Sequence, residues 1–223
     1  MNNGEGLVQT PQGASFRVIR MHFSKTGRAR FISHLDLNRT MTRALRRAGV
    51  PIWYTEGFNK HPYVTFTAPL SLGYEGLREC MDLRLLQDIP SDELVERMNA
   101  VMPEGLAVID AAPAVKKPGD LAAARYRLTF DCPPETLAAF LAQPAVTAEK
   151  QNKKKEIKTV DLTPLLAGAE PEENLLELTL PCGSNDTVNP SLISQALAAF
   201  AGAEIPCRVC RLALLDGDGN EFL

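Results

Sequence analysis

The chain carries three imidazoles, His22, His34 and His61. Two of them bracket a stretch dense in arginine, with Arg39, Arg43, Arg46 and Arg47 lying between His34 and His61. A histidine set among arginines has the parts for general acid–base work on a phosphodiester, the guanidinium groups balancing charge that develops on the phosphate. His34 and His61 are therefore the candidates for catalysis. Against that reading, a helical His34 would project near the apolar stripe of its helix, where an interior hydrogen bond is the simpler role. Without a working histidine, the same arginines make a binding surface for an anion.

Metal chemistry is less well served. Cys207 and Cys210 have CxxC spacing, but they fall on a predicted strand, where an offset of three puts the two thiols on opposite faces. There is no second CxxC and no suitable histidine pair, only the lone Cys182. Two packed cysteines are expected there, and no metal. The CxxxCxxC motif of a radical enzyme's iron–sulfur cluster is absent, as are the GxxxxGK[ST] and GxGxxG phosphate loops, so no cofactor is expected.

The element that must position the arginines is a helix predicted over Ser33 to Ala48. Ser33 is placed to cap it, Asp36 completes a pattern like a capping box, and Gly49 and Pro51 end it. At 100° per residue, Leu37, Met41, Ala44, Leu45 and Ala48 fall on one stripe and Asp36, Arg39, Thr40, Arg43, Arg46 and Arg47 on the other. Like charges three and four apart repel slightly, a cost that an anionic partner would relieve. Before the helix, Ser24 to Gly27 is a turn, and Arg28 to Ile32 a short extension. After it, Val50 to Thr55 is strand-like and Glu56 to Pro62 a loop. Phe58 in that polar loop has two readings, a side chain folded back into the core, which is the commoner fate, or a platform for stacking a base.

The rest of the chain supplies a frame. Phe16 to Phe23, Tyr63 to Ala68, Glu79 to Leu85 and Leu106 to Ile109 read as strands, and a second helix capped by Ser91 uses Leu94, Val95, Met98, Val101 and Met102. In Glu79 to Leu85, Met81, Leu83 and Leu85 point inward, and Cys80, Asp82 and Arg84 outward. The order strand, helix, strand, strand, helix, strand is the split βαβ, ferredoxin-like arrangement. It recurs in the second half. A strand at Tyr126 to Phe130 is followed by a helix from Pro133 and an extended, lysine-rich strand or hairpin arm at Val146 to Val160 partnered by Leu175 to Leu180. A helix from Asn189-Pro190 and a strand at Arg208 to Leu215 complete it. The expected fold class is α+β, two tandem ferredoxin-like domains. Residues 1–15 form a disordered leader, 16–111 the first domain, 112–123 a linker, 124–216 the second domain, and 217–223 a loose acidic tail.

Composition narrows the class. Hydrophobic residues make up 45% and charged residues 23%, as in ordinary globular proteins. No apolar run is long enough to span a membrane. Five scattered cysteines, an odd number, favour reduced thiols and a cytoplasmic location over a disulfide framework. The net charge of −3 hides an asymmetry, because residues 17–61 hold ten Lys/Arg against only Asp36 and Glu56. A positive patch on an acidic body is the footprint expected for a polyanion or an acidic partner. Its candidate members are Lys25, Arg28, Arg30, Arg39, Arg43, Arg46, Arg47, Phe58, Asn59, Lys60 and His61. A second basic segment around Lys150, Lys153, Lys154, Lys155 and Lys158 reads as a solvated hairpin tip or a phosphate-contacting arm.

The run FSKTGRARFISHLDLNRTMTRALRRAGVPIWYTEGFNKHPYVTF resembles the signature of a bacterial family, the radical-SAM-linked proteins of unknown function. The likeness continues through ECMDLRL, PSDELVERMN and MPEGLAV, and more generally through the second half. Ser33-His34-Leu35-Asp36, Arg39, Arg43 and Gly57-Phe58-Asn59-His61-Pro62 fit its pattern, with Lys60 standing where proline is common. His22 matches no part of it. The resemblance implies a partner, a B12-binding radical SAM protein that does the chemistry, and implies no activity of the chain's own. At the level of fold alone, CRISPR-RNA-processing endonucleases are similar, but their glycine-rich loop is not evident in LPCGSNDTV. The expectation is a non-catalytic accessory protein whose arginine face binds structured RNA. The alternatives are a module that docks the radical SAM partner without RNA, and a metal-independent endonuclease.

Overall fold

The computed structural model of the chain describes residues 7–9, 15–56, 58–151, 157–183 and 186–222. The chain divides into two compact units, residues 1–121 with 221–223, and residues 122–220. The protein is mixed α+β, and no helix among the described residues is long and apolar enough to cross a membrane.

The first unit contains β1 (Leu7–Gln9), β2 (Ser15–Lys25), a 3-10 turn (Gly27–Phe31), α1 (His34–Arg47), β3 (Val64–Phe66), β4 (Glu75–Leu85), α2 (Ser91–Asn99) and β5 (Leu106–Pro113). Its sheet is antiparallel at every pairing described. β2 pairs with β4 on one side and with β5 and β1 on the other, and β3 extends the sheet beyond β4. Alternation along β2 sends Ile19, Met21 and Phe23 to one face, where they pack with Leu37, Met41 and Leu45 of α1 and with Leu94 and Met98 of α2. Met81, Leu83 and Leu85 of β4 join the same core. Arg20, His22 and Asp82 therefore lie on the face turned away from the helices.

The second unit takes in β6 (Leu121–Phe130), α3 (Pro134–Leu141), β7 (Thr147–Gln151), β8 (Ile157–Asp161), the single turn α4 (Thr163–Leu166), β9 (Leu175–Pro181), α5 (Ser191–Ala201) and β10 (Cys207–Asp216). β6 lies between β10 and β9, antiparallel to β9, and β7 and β8 form a separate two-stranded ribbon.

Several expectations need correction. Leu7–Gln9 is a strand paired with Ser15–Arg17, not part of a disordered leader, because the edge of β2 offers it unpaired backbone groups. The Arg28–Ile32 stretch is a 3-10 turn rather than an extension, and Ser91 is the first residue of α2 behind Pro90, with no side-chain cap. Val50 to Thr55 forms only isolated bridges at Ile52 and Tyr54. The lysine-rich arm takes the self-paired of its two expected forms, β7 against β8, but its expected partner Leu175–Pro181 pairs with β6 instead. The predicted linker is largely structured, β5 reaching Pro113 and β6 beginning at Leu121. The tail is not loose, since Phe222 is 2% exposed.

Candidate functional site: a cationic helix face and the loop beside it

α1 begins as the sequence indicates. The Ser33 hydroxyl oxygen accepts from the Asp36 backbone N–H at 3.1 Å, and the Ser33 hydroxyl donates to the Asp36 carboxylate at 2.7 Å. The Ser33 hydroxyl, and after it Arg39, hold the Asp36 carboxyl below its ordinary pKa. Leu37, Met41, Ala44 and Leu45 are buried, which fixes the rotation of the helix and turns Arg39, Arg43, Arg46 and Arg47 to solvent.

Three of these arginines converge. Arg43, Arg46 and Arg47, with Thr40 and Pro103, line an open depression of about 480 Å³. Arg47 is anchored by an Nη2 hydrogen bond of 2.5 Å to the Val101 carbonyl. Arg46 donates from Nε to the Tyr54 hydroxyl at 3.2 Å, and its guanidinium lies over the Tyr54 ring at 5.6 Å. Arg39 reaches back to Asp36 at 3.2 Å. Among the described residues no carboxylate pairs with Arg43, Arg46 or Arg47, so the depression keeps its positive charge.

Tyr54 ties this face to the next loop. A narrow ladder closes that loop: Tyr54 bridges Pro62, the Thr55 N–H donates to the His61 carbonyl at 2.9 Å, and the Tyr63 N–H donates to the Trp53 carbonyl at 2.9 Å. The His61 N–H donates to the Thr55 hydroxyl at 3.2 Å, and His61 Nδ1 sits 3.0 Å from that hydroxyl and 3.1 Å from the Asn59 carbonyl. Beyond the ladder Phe58, Asn59 and Lys60 project to solvent, and Phe58 is fully exposed at 102%. Burial of Phe58 in the core is thus overturned: the ladder points the loop tip outward.

Other candidates separate from this surface. Lys25 is 1% exposed and its Nζ donates to the Arg30 carbonyl at 3.2 Å, so it cannot meet a surface ligand. Its aliphatic stem lies in the sheet, and its ammonium reaches the turn that follows β2. Arg28 is exposed; Arg30 is half-buried, stacks on Phe31 at 4.7 Å and lies 3.9 Å from Glu75. His34 is exposed, not interior, with its ring edge-on to Phe66 at 5.0 Å. No hydrogen bond joins His34 to His61 among the described residues. Lys153, Lys154 and Lys155 lie outside the described residues, while Lys150 and Lys158 are exposed on the β7–β8 ribbon.

The thiols have no metal-binding arrangement among the described residues. All five cysteines are free, and burial pushes the Cys207 thiol above its ordinary pKa, away from thiolate character.

Sequence reading missed the charged groups on the far face of the first sheet. Arg20, 0% exposed, makes a bidentate ion pair with Asp82 across the β2–β4 ladder, with bonds of 2.7 and 2.8 Å. His22 Nδ1 lies 2.5 Å from the Asp110 carboxylate, and its Nε2 lies 3.1 Å from the Phe222 carbonyl. Burial alone would raise the pKa of Asp110. The hydrogen bond and charge of His22, together with Arg78, outweigh that and hold it below the usual range. The available signal was strand alternation, which placed Arg20 and His22 opposite Ile19 and Met21, where charged residues need partners of their own.

The architecture and this surface define an α+β protein with three arginines that no carboxylate pairs among the described residues and an exposed aromatic loop beside them. The chain belongs to the family described as "Uncharacterized protein conserved in bacteria (DUF2344)", whose model matches residues 18–190. No curated protein matches the chain.

Proposed function

We propose that the protein binds structured RNA through the α1 arginine face and the Phe58 loop, as an accessory to a radical SAM enzyme in the bacterial cytoplasm. One observation carries the RNA reading. Arg43, Arg46 and Arg47 converge without carboxylate partners, and Arg46 contacts the base of a loop that holds Phe58 in water. Phosphates need cations that are not already paired, and unpaired bases need an exposed aromatic face. The partner rests on the family resemblance of the Phe23–Phe66 stretch. Both units are read as variants of the ferredoxin-like fold. The first has the strand order β5-β2-β4-β3; the second has β10-β6-β9, with the β7–β8 ribbon in place of the remaining strand.

The test is RNA affinity against salt concentration. Wild-type binding should fall with a slope of about 0.7 to 0.9 per phosphate neutralised. Arg39→Ala with Arg43→Ala should flatten that slope without lowering the unfolding midpoint. Phe58→Ala should cost about 1–3 kcal/mol of affinity if a base stacks there. Unchanged affinity in both variants would sink the proposal. A second reading, docking onto an acidic partner protein, is favoured by Phe31 and Leu35, apolar and 63% and 58% exposed at the start of α1. It predicts partner binding lost in Leu35→Asp, with no RNA bound by the wild-type chain.

A further inference from the structure

The face of the first sheet turned away from α1 holds a second, separate cleft. It measures about 340 Å³ and is lined by Val18, Tyr63, Thr65, Asp82, Arg84 and the 114–118 segment. That is the lower end of the range for small-molecule sites, roughly 300–1,000 Å³.

The unusual group in it is Arg84. Its guanidinium lies 3.7 Å from the centroid of Tyr63, 4.3 Å from Phe16 and 5.0 Å from Trp53. Phe16 and Tyr63 in turn pack on Trp53 at 5.8 and 5.6 Å. Three rings hold the cation in place through their π faces, and none of them neutralises it. The one carboxylate lining the cleft, Asp82, is already bound at both oxygens by Arg20. Lys117, exposed in the 114–118 segment, adds positive charge to the lining.

That segment is built, not incidental. Arg20 Nη2 donates to the Lys116 carbonyl at 2.8 Å, the Ala114 N–H donates to the Val18 carbonyl at 3.1 Å, and the Lys117 N–H donates to the Asp120 carboxylate at 2.8 Å. The segment also holds Val115 82% exposed beside the charges, an apolar surface with no cover. A fixed fork of N–H donors, a flanking lysine and an apolar lip match a dianionic head on an organic body.

We propose that this cleft binds a small phosphate monoester of mononucleotide size, its phosphate on Arg84 and its ring against Tyr63, Val18 and Val115. Arg84 and Lys117 take no part in the α1 surface, and Arg43, Arg46 and Arg47 take no part in this cleft; Trp53 and Tyr63, which also close the Phe58 loop, are common to both, so the arginine variants are what separate the two proposals.

Trp53 is the single tryptophan of the chain and touches Arg84, so its fluorescence reports the site directly. The experiment titrates the full chain with uridine 5′-monophosphate, uridine and inorganic phosphate, following Trp53 emission and calorimetric heat. The monophosphate should give a saturable change, inorganic phosphate a weaker one, and uridine none. Arg84→Met keeps packing on the three rings but removes the donors, and should weaken binding at least about ten-fold. Lys117→Ala, an exposed change, should weaken it to a smaller extent, and Arg43→Ala should leave it intact. The proposal is overturned if the wild-type chain shows no saturable change with the monophosphate. It is equally overturned if a folded Arg84→Met binds as well as wild type, or if uridine binds as tightly as its monophosphate.

Discussion

Arg20 and Asp82 show how a single pair can decide the state of a sheet face. Both sit where strand alternation puts them away from the helices, and Arg20 has no exposed surface. Desolvating a charge is costly, and only a partner of good geometry offsets it. The bidentate bonds to Asp82, the Lys116 carbonyl and the Phe222 ring 4.4 Å away together supply that partner set. Asp82→Ala should therefore destabilise the first unit by about 3–5 kcal/mol, since it removes both bidentate bonds from a buried guanidinium. The paired change Arg20→Met with Asp82→Leu should restore most of that loss, because two apolar side chains remove the desolvation cost together. Denaturant midpoints read from Trp53 would check both, and a mild effect of Asp82→Ala alone would show that water reaches Arg20.

At the scale of elements, the connection from α2 to β5 is a tight joint in the first unit. Gly105 has φ of +84°, and a Cβ there would lie 2.6 Å from the Thr26 carbonyl oxygen and 2.9 Å from the Ala29 Cβ. The Thr26 N–H donates to the Gly105 carbonyl at 2.8 Å, so neither strand end can withdraw. Gly49, which ends α1, has a similar φ of +64° but open space around it. Both pay the left-handed cost on substitution by alanine, roughly 1–2 kcal/mol, and only Gly105 adds a backbone clash. Gly105→Ala should thus be clearly more destabilising than Gly49→Ala; equal midpoints in chemical unfolding would refute the clash. The same elements show what sequence can and cannot tell. α1 was legible to its cap because Ser33, Asp36, the 3.6-residue stripe and Gly49 are all local signals. The partner of the lysine-rich arm was not, since alternation in Thr147–Gln151 and Ile157–Asp161 identifies a strand without naming what it pairs with. Phe58 was misplaced for a related reason: its apolar ring argues for burial, and only the ladder from Trp53 to Tyr63 turns the loop outward. Arg84 was correctly put on the outer face, yet its ring partners come from three segments distant in sequence.

For the molecule as a whole, the order of the chain matters as much as any contact. The first unit is not complete at Leu121, because residues 221–223 belong to it after the whole second unit has been traversed. Phe222 is what the return delivers. Its ring covers Arg20, its carbonyl oxygen lies 3.1 Å from His22 Nε2 and accepts from Cys80 Sγ at 3.6 Å, and Glu221 next to it meets Arg78 at 3.3 Å. Burying a phenylalanine side chain is worth about 1.5–3 kcal/mol and a net hydrogen bond about 1 kcal/mol. Ending the chain at Asn220 should accordingly lower the stability of the first unit by roughly 3 kcal/mol, with Arg20 and His22 newly open to water. Phe222→Ala separates the two contributions, because it removes the ring and keeps the carbonyl, and its loss should fall between wild type and the shortened chain. Trp53 reports this unfolding from within the first unit. If its midpoint were the same in all three proteins, Phe222 would add nothing to the first unit, and the buried Arg20 would be held without its ring.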